Sequence, residues 1–393
     1  MPIVSAQITP SVLRWARQRS HYEPVDLARR LGVSPERYFR WEEGAGKPTL
    51  KQLRLLAETL KQSLSTFYLP EPPREAEALQ QLRRLPGAAK GRESPELALQ
   101  VLEVLELRNV ALGLFADLGE QAPTPKTHLA TDQDAEVTGA RIRAQLNIDI
   151  GEQAEWLNPY VALHSWRRAL EASGVLVFQM PGITLHEMRG MTIAQTPLPI
   201  IGLNSKDAVR ARIFTLLHEF CHVLLRDSVL HSTDRPLYQL SARTGTEPFC
   251  NAVAAAVLVP KADLEGQPQA VGKTNHADWA DEEIRPLARR YLVSNAVILR
   301  RLRALDLIAP HCFEYLRRQY DRYEPPPTRT PTGADYYSLK LSRLGTLLPT
   351  LAFRAHYSNK ITTSDLSAIL GVKVKNLGTL ELRVSGFNYG FGG

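Results

Sequence analysis

The 393-residue chain has no run of about 18 apolar residues, so no membrane span is expected. It has three cysteines, Cys221, Cys250 and Cys312, too few and too scattered for a disulfide framework. Its first residues, "MPIVSAQITPSVLRWARQRS", lack the charged-then-apolar order of a secretory signal. A cytoplasmic protein with reduced thiols is the expectation from these absences. A disordered chain is also excluded, because 44% of residues are apolar and 23% charged. The length allows two to four domains, each with its own core.

Charge is present but uneven. The net of +7 comes from the two ends: residues 1–70 hold 11 Lys and Arg against 6 Asp and Glu, and residues 276–393 hold 17 against 11. The middle reverses, with 20 against 24. Basic ends around a mildly acidic centre suit a polyanion partner at the ends and another task in between, although ordinary solvated surface has the same look.

Residues 1–70 read as a helical unit. In "VDLARRLGVSPERYFRWEEG" a first helix carries Val25, Leu27, Ala28 and Leu31 and stops at Gly32; Ser34 and Pro35 then start a second. Two short helices across a glycine turn is the helix-turn-helix pattern. "TLKQLRLLAETLKQSLSTFY" continues the unit with helical spacing. "LPEPPREAE" opens a linker region with one or two amphipathic helices, taken as 71–135. From 136 to 275 the pattern is mixed, with "GVLVFQM" and "LPIIGLN" as strands and 211–226 and 247–258 as helices. Residues 276–393 read as a helical C-terminal region, interrupted by "YEPPPTRTPTGADYY". Within it, "PLARRYLVSNAVILRRLRAL" resembles the helix-turn-helix core of winged domains. "DLSAILGVKVKNLGTL" is a weaker echo of the same pattern. The expected class is α+β, mostly helical, with a short sheet in the central domain.

The chemistry centres on "FTLLHEFCHVLL", residues 214–225. Residues four apart share a helix face, so His218 and His222 can aim ring nitrogens at one ion. Glu219 lies about 100° round the helix, beside that ion. The pattern is H-E-x-x-H: two zinc ligands and a general base for water. A hydrolytic zinc site needs a third protein ligand. "TEPFCNAVAAAVLVP" offers Glu247 in a first helical turn, followed on the same side by Cys250, Asn251 and Ala254, with alanines that permit close helix approach. Asp227, His231 and Asp234 compete as ligands, and Tyr238 and His231 are candidate oxyanion partners.

"PIIGLNSKDAVRARIFTLLHEFCHVLL" and "EPFCNAVAAAVLVP" together resemble the ImmA/IrrE family of bacterial and phage zinc metalloendopeptidases. Arg212, Phe214, Thr215, His218, Glu219 and His222 match its first motif. Glu247, Asn251, Ala254, Ala255, Leu258 and Pro260 match its second. The N-terminal segment resembles XRE/Cro-type helix-turn-helix regulators, so the whole looks like a regulator–peptidase fusion. The resemblance implies a zincin-like central domain in which Zn2+ is held by His218, His222 and Glu247, with Asn251 supporting them. It also implies cleavage of small DNA-binding repressors, switching on phage, mobile-element or DNA-damage genes. Cys221 departs from the pattern, which usually has glycine or alanine there; packing is the plain reading, and a redox or ligand role the alternative for both Cys221 and Cys250.

In this reading Glu219 is the catalytic base, and the strand "LPIIGLN" could hold an extended substrate by backbone pairing. DNA would meet the second helix of the N-terminal pair, with Arg37, Tyr38 and Arg40 near base edges or phosphates and Lys47 and Lys51 on phosphates. Phe39 and Trp41 are expected in the core. The partners implied are DNA, a protein substrate of the helix-turn-helix repressor class, and no membrane; a homodimer is left open. The alternative is a transcription regulator whose peptidase-like domain senses or binds a partner without proteolysis.

Overall fold

Proline and glycine punctuation sets the first helices of the computed structural model, which describes residues 5–73, 94–231, 245–321 and 336–389. Helices α1 (Pro10–Arg19), α2 (Pro24–Arg30) and α3 (Pro35–Glu42) each begin on a proline, whose fixed φ suits the first helical position. Ser34 caps α3 by accepting the Arg37 N–H at 3.3 Å. Between α2 and α3 the chain turns through Gly32 at φ +66°, a left-handed conformation that glycine adopts without strain. Thr49 and Gln52 form a reciprocal capping box at the start of α4 (Leu50–Thr59). These helices close on Leu13, Leu27, Tyr38, Trp41, Leu53, Leu56 and Phe67. The helix-turn-helix expected from the sequence is α2, the Gly32 turn and α3.

The chain divides into two compact units, Met1–Glu106 and Leu107–Gly393. After α5 (Pro95–Asp117), the larger unit holds α6 (Ala135–Leu146), α7 (Ile150–Glu155) and α8 (Pro159–Ala172). Strands β1 (Leu176–Met180), β2 (Gly190–Ile193) and β3 (Ile200–Asn204) precede the long α9 (Val209–Leu225). Then come β4 (Val229–His231), α10 (Thr246–Leu258) and the short α11 (Lys261–Glu265). Among the described residues no helix is long and apolar enough to cross a membrane.

The sheet order is β1-β3-β2-β4. β1 runs parallel to β3, with Leu176 opposite Ile200; β2 is antiparallel to both β3 and β4. Every residue of β1, β2 and β3 is buried, which is why β1 and β3 read as largely apolar runs rather than alternating ones, with Gln179 and Asn204 as their buried polar residues. α9 packs on β2 and β3, and α8 and α10 pack on α9. One sequence expectation is corrected here. "LPIIGLN" becomes β3, an interior strand whose two sides already pair with β1 and β2, so it has no free edge for a substrate.

The core around α9 continues past residue 275. Helices α12 (Asp281–Arg290), α13 (Asn295–Ala304) and α14 (Pro310–Asp321) contribute Ile284, Leu287, Ile298, Leu302 and Leu316 to it. α12 and α13, expected as a winged-helix-like segment of the C-terminal region, thus share the core of α9. α13 buries Val297, Ile298, Leu299, Arg301 and Leu302, and Arg301 is 2% exposed, bonded to Glu136 and to the Val259 carbonyl.

Helices α15 (Tyr336–Leu344), α16 (Leu347–Tyr357), α17 (Thr363–Leu370) and α18 (Leu377–Tyr389) complete the unit. A buried ion pair on α8 fastens them. Arg167 Nε lies 3.1 Å from Glu171 Oε1, and its guanidinium also donates to the Leu341 and Ser342 carbonyls. Glu171 Oε2 accepts the Thr346 N–H at 2.9 Å and the Leu347 N–H at 3.2 Å. Both charges thus find several partners, the condition under which a buried pair is tolerated.

Candidate metal centre

From Arg212 to Leu224 every residue of α9 is buried, so its polar side chains lie inside the core. His218, Glu219 and His222 are each 0% exposed. Polar groups in such a place need partners. α9 ends at Arg226 in a left-handed conformation, and the Asp227 N–H returns to the His222 carbonyl at 2.9 Å. That turn sets Asp227 Oδ2 3.3 Å from His222 Nδ1. With its Nδ1 proton directed to this carboxylate, His222 presents the Nε2 lone pair on the other side of the ring. Asp227, a rival ligand by sequence, therefore backs a histidine instead.

α10 brings the third group. Its buried face, Cys250, Val253, Ala254 and Val257, packs in the same core as α9, and Glu247 lies in its first turn. The Glu247 carboxylate bridges the histidines: Oε2 is 3.4 Å from His218 Nε2 and Oε1 3.4 Å from His222 Nε2. The two Nε2 atoms are 3.2 Å apart. Donors bound at 2.0–2.1 Å round a tetrahedral ion sit about 3.4 Å from one another. The two imidazoles and one carboxylate therefore fit zinc in both chemistry and spacing. Glu247 is half-exposed while both histidines are enclosed, so the group meets solvent on the carboxylate side.

Glu219 is held from below by β2. The Thr192 hydroxyl lies 2.7 Å from Glu219 Oε2 and 3.0 Å from its backbone oxygen. A side chain at Gly190 would collide with Glu219 Oε1 and Thr215 Cγ2, so the missing Cβ makes room for the carboxylate. Neither Gly190 nor Thr192 is picked out by sequence reasoning; the only available signal, a glycine and a threonine in a four-residue strand, is too weak.

Other expected residues fall as follows. Asn251 stands one turn after Glu247, and its Oδ1 has no hydrogen-bond partner among the described residues. Arg212 is buried and donates to Gln179 on β1, which ties α9 to the sheet. Cys221 and Cys250 are both buried; Cys221 Sγ lies 3.2 Å from the Leu217 carbonyl. Burial, and then contact with Cys221, push the Cys250 thiol well up. Neither cysteine joins the three-donor group. Asp234 and Tyr238 lie outside the described residues, as does the side chain of His231.

In the smaller unit Arg37, Arg40, Lys47 and Lys51 are exposed on or near α3. Tyr38 is corrected. It is 0% exposed, and its hydroxyl donates to Glu42 Oε1 at 2.8 Å, so it is a core residue that cannot reach DNA. Phe39, expected in the core, is 41% exposed, whereas Trp41 is buried as expected.

Comparison with known proteins agrees with this division. Residues 170–303 match the family model of the IrrE N-terminal-like domain, a peptidase family, and residues 13–67 match a helix-turn-helix family model. No curated protein matches the chain. A helix-turn-helix segment followed by a peptidase-like one is the order of the regulator–peptidase fusion that the sequence resembles.

Proposed function

We propose that the larger unit is a zinc-dependent endopeptidase and that the smaller unit brings it to DNA. The observation that carries this reading is the triangle of His218, His222 and Glu247 donors, 3.2–3.4 Å apart, beside an enclosed Glu219. A zinc ion held by those three side chains would supply Lewis acidity, making water easier to deprotonate and a peptide carbonyl easier to attack. Glu219 takes the proton from the attacking water and passes it to the departing amine nitrogen. Thr192 and Gly190 fix the carboxylate for both transfers, and Asp227 fixes the ring of His222. An extended substrate would pair with the outer side of β4, an edge strand among the described residues.

The substrate class follows from the resemblance to ImmA/IrrE peptidases: a small helix-turn-helix repressor whose cleavage derepresses stress, phage or mobile-element genes in the cytoplasm. Arg37, Arg40, Lys47 and Lys51 would contact DNA or its phosphates. The test is a survey of new protein N-termini in cells carrying the chain or its Glu219→Gln variant, with and without DNA damage. A repressor cut that disappears in the variant supports the proposal. Identical N-termini under both conditions would overturn it in favour of a regulator whose peptidase-like unit only senses or binds a partner.

A further inference from the structure

A second group of metal-ligand atoms lies in the same unit, built from residues that the peptidase reading does not use. Residues 276–279 run beside 306–309 as a short parallel bridge, Ala277 against Ile308. The His276 N–H donates to the Asp306 carbonyl at 2.9 Å, the Ala309 N–H to the Ala277 carbonyl at 2.9 Å, and Trp279 Nε1 to the Leu307 carbonyl at 2.9 Å. Trp279 is itself buried. Asp278 is therefore pinned on both sides, while its own side chain is 76% exposed. Opposite it α14 begins at Pro310, and its first turn supplies His311 and Cys312. Asp278 Oδ1 lies 3.0 Å from His311 Nε2 and 3.1 Å from Cys312 Sγ. One ligand atom from each of the three residues falls within 4.8 Å of the other two.

We infer that Asp278, His311 and Cys312 form a surface site for a single zinc ion, separate from the His218, His222 and Glu247 group. An imidazole nitrogen, a thiolate sulfur and a carboxylate oxygen are the donor types that zinc prefers, and magnesium or calcium would not select the first two. The order of the backbone on both sides lowers the entropy cost of bringing the ligands together. Exposure of His311 and Asp278 leaves room for water or a fourth group. The nearby cation does not oppose binding: Lys273 Nζ donates to the Asp278 carbonyl at 2.6 Å, and its charge is answered by Glu283 Oε1 at 2.9 Å. On binding, the Cys312 thiol proton passes to solvent and the sulfur bonds the ion. This inference stands whether or not the chain hydrolyses peptides.

Cobalt(II) titration of the reduced, metal-stripped full chain tests it. A second equivalent of cobalt should bind, with a thiolate-to-cobalt charge-transfer band. Cys312→Ser should abolish the band and the second equivalent, and Asp278→Asn should weaken binding of that equivalent at least about tenfold. The double variant His218→Ala, His222→Ala should keep the band. A band that survives Cys312→Ser, or that disappears with the double histidine variant, would assign it to Cys221 or Cys250 and overturn the proposal. So would titration that stops at the first equivalent with no band at all, which would leave the three residues as a hydrogen-bonded surface cluster.

Discussion

Glu42 and Glu219 are both buried carboxylates on helices, one in each unit, and the difference between their surroundings separates scaffold from chemistry. Glu42 is gripped by charge: Arg17 donates to Oε1 at 2.7 Å and to Oε2 at 3.2 Å, and Tyr38 adds a hydroxyl at 2.8 Å. Those contacts occupy both oxygens and lock α1 to α3. Glu219 is instead placed by a hydroxyl and by the space over a glycine, next to two imidazoles that face a common point. The helix-turn-helix unit keeps its buried polar residues for architecture and its candidate contact residues, Arg37, Arg40, Lys47 and Lys51, outside. The larger unit keeps its candidate chemistry inside. Burial of a polar residue thus carries no single meaning; the kind of partner decides.

Removing each carboxylate should produce opposite losses. Glu219→Gln is expected to lower peptide cleavage by about 10³-fold, within the range for loss of a general base, while zinc content and melting temperature hold. A variant that loses zinc or unfolds would mean that Glu219 is a structural residue like Glu42. Glu42→Ala should leave zinc binding intact and destabilise the smaller unit by about 2–3 kcal/mol, because the part-buried Arg17 and the buried Tyr38 hydroxyl lose their partner. Urea denaturation followed by circular dichroism reads that cost.

Acid provides a second contrast. His164 on α8 has its pKa pushed down to about 4, first by burial and then by Arg167 and Arg168. The unfolded chain takes up that proton near pH 6.5, before the folded one does. Stability from this group is complete above about pH 6.5 and lost as the pH falls towards 4, amounting to about 2 kcal/mol between pH 7 and 5. His164→Gln should flatten that part of the stability–pH curve for the larger unit. An unchanged slope would refute the assignment.

Sequence legibility followed the range of the interactions. His218, Glu219 and His222 stand out because a helix turns their spacing into a common site within one turn, and Glu247 because a proline and a run of alanines mark its helix. β1 and β3 were legible as apolar strands. β2 was not, since "GMTI" is only four residues long and opens on glycine, too short for its alternation to stand out. It nevertheless supplies Gly190 and Thr192, which meet Glu219 only once a sheet joins segments 27 residues apart. Arg301 misled in the other direction. In sequence it decorates an arginine-rich helix, and its burial is explained by Glu136, 165 residues earlier, and the Val259 carbonyl, 42 residues earlier. Tyr38 failed for a related reason: helical spacing pairs it with Glu42, but it does not say on which side of the helix the core lies.

Thr192→Val tests how Glu219 is positioned. Valine keeps the shape and removes the hydroxyl that fixes Glu219, so cleavage should fall on the order of tenfold to a hundredfold with zinc affinity unchanged. Loss of zinc with loss of rate would place Thr192 in the architecture rather than in the positioning of the base.

The smallest effects belong to α3, where two neighbouring residues should behave in opposite ways. Arg37→Ala is expected to weaken DNA binding by about 1 kcal/mol and, if the contact is to phosphate, to reduce the salt slope by about one. Tyr38→Phe should leave both quantities alone, because the hydroxyl it removes faces Glu42 inside the unit, and should instead cost about 1 kcal/mol of folding stability. Fluorescence anisotropy at several salt concentrations separates the two outcomes. If Tyr38→Phe altered the salt slope while Arg37→Ala did not, α3 would have to present a different face to DNA. The split between buried scaffold and exposed contact in this unit would then fail.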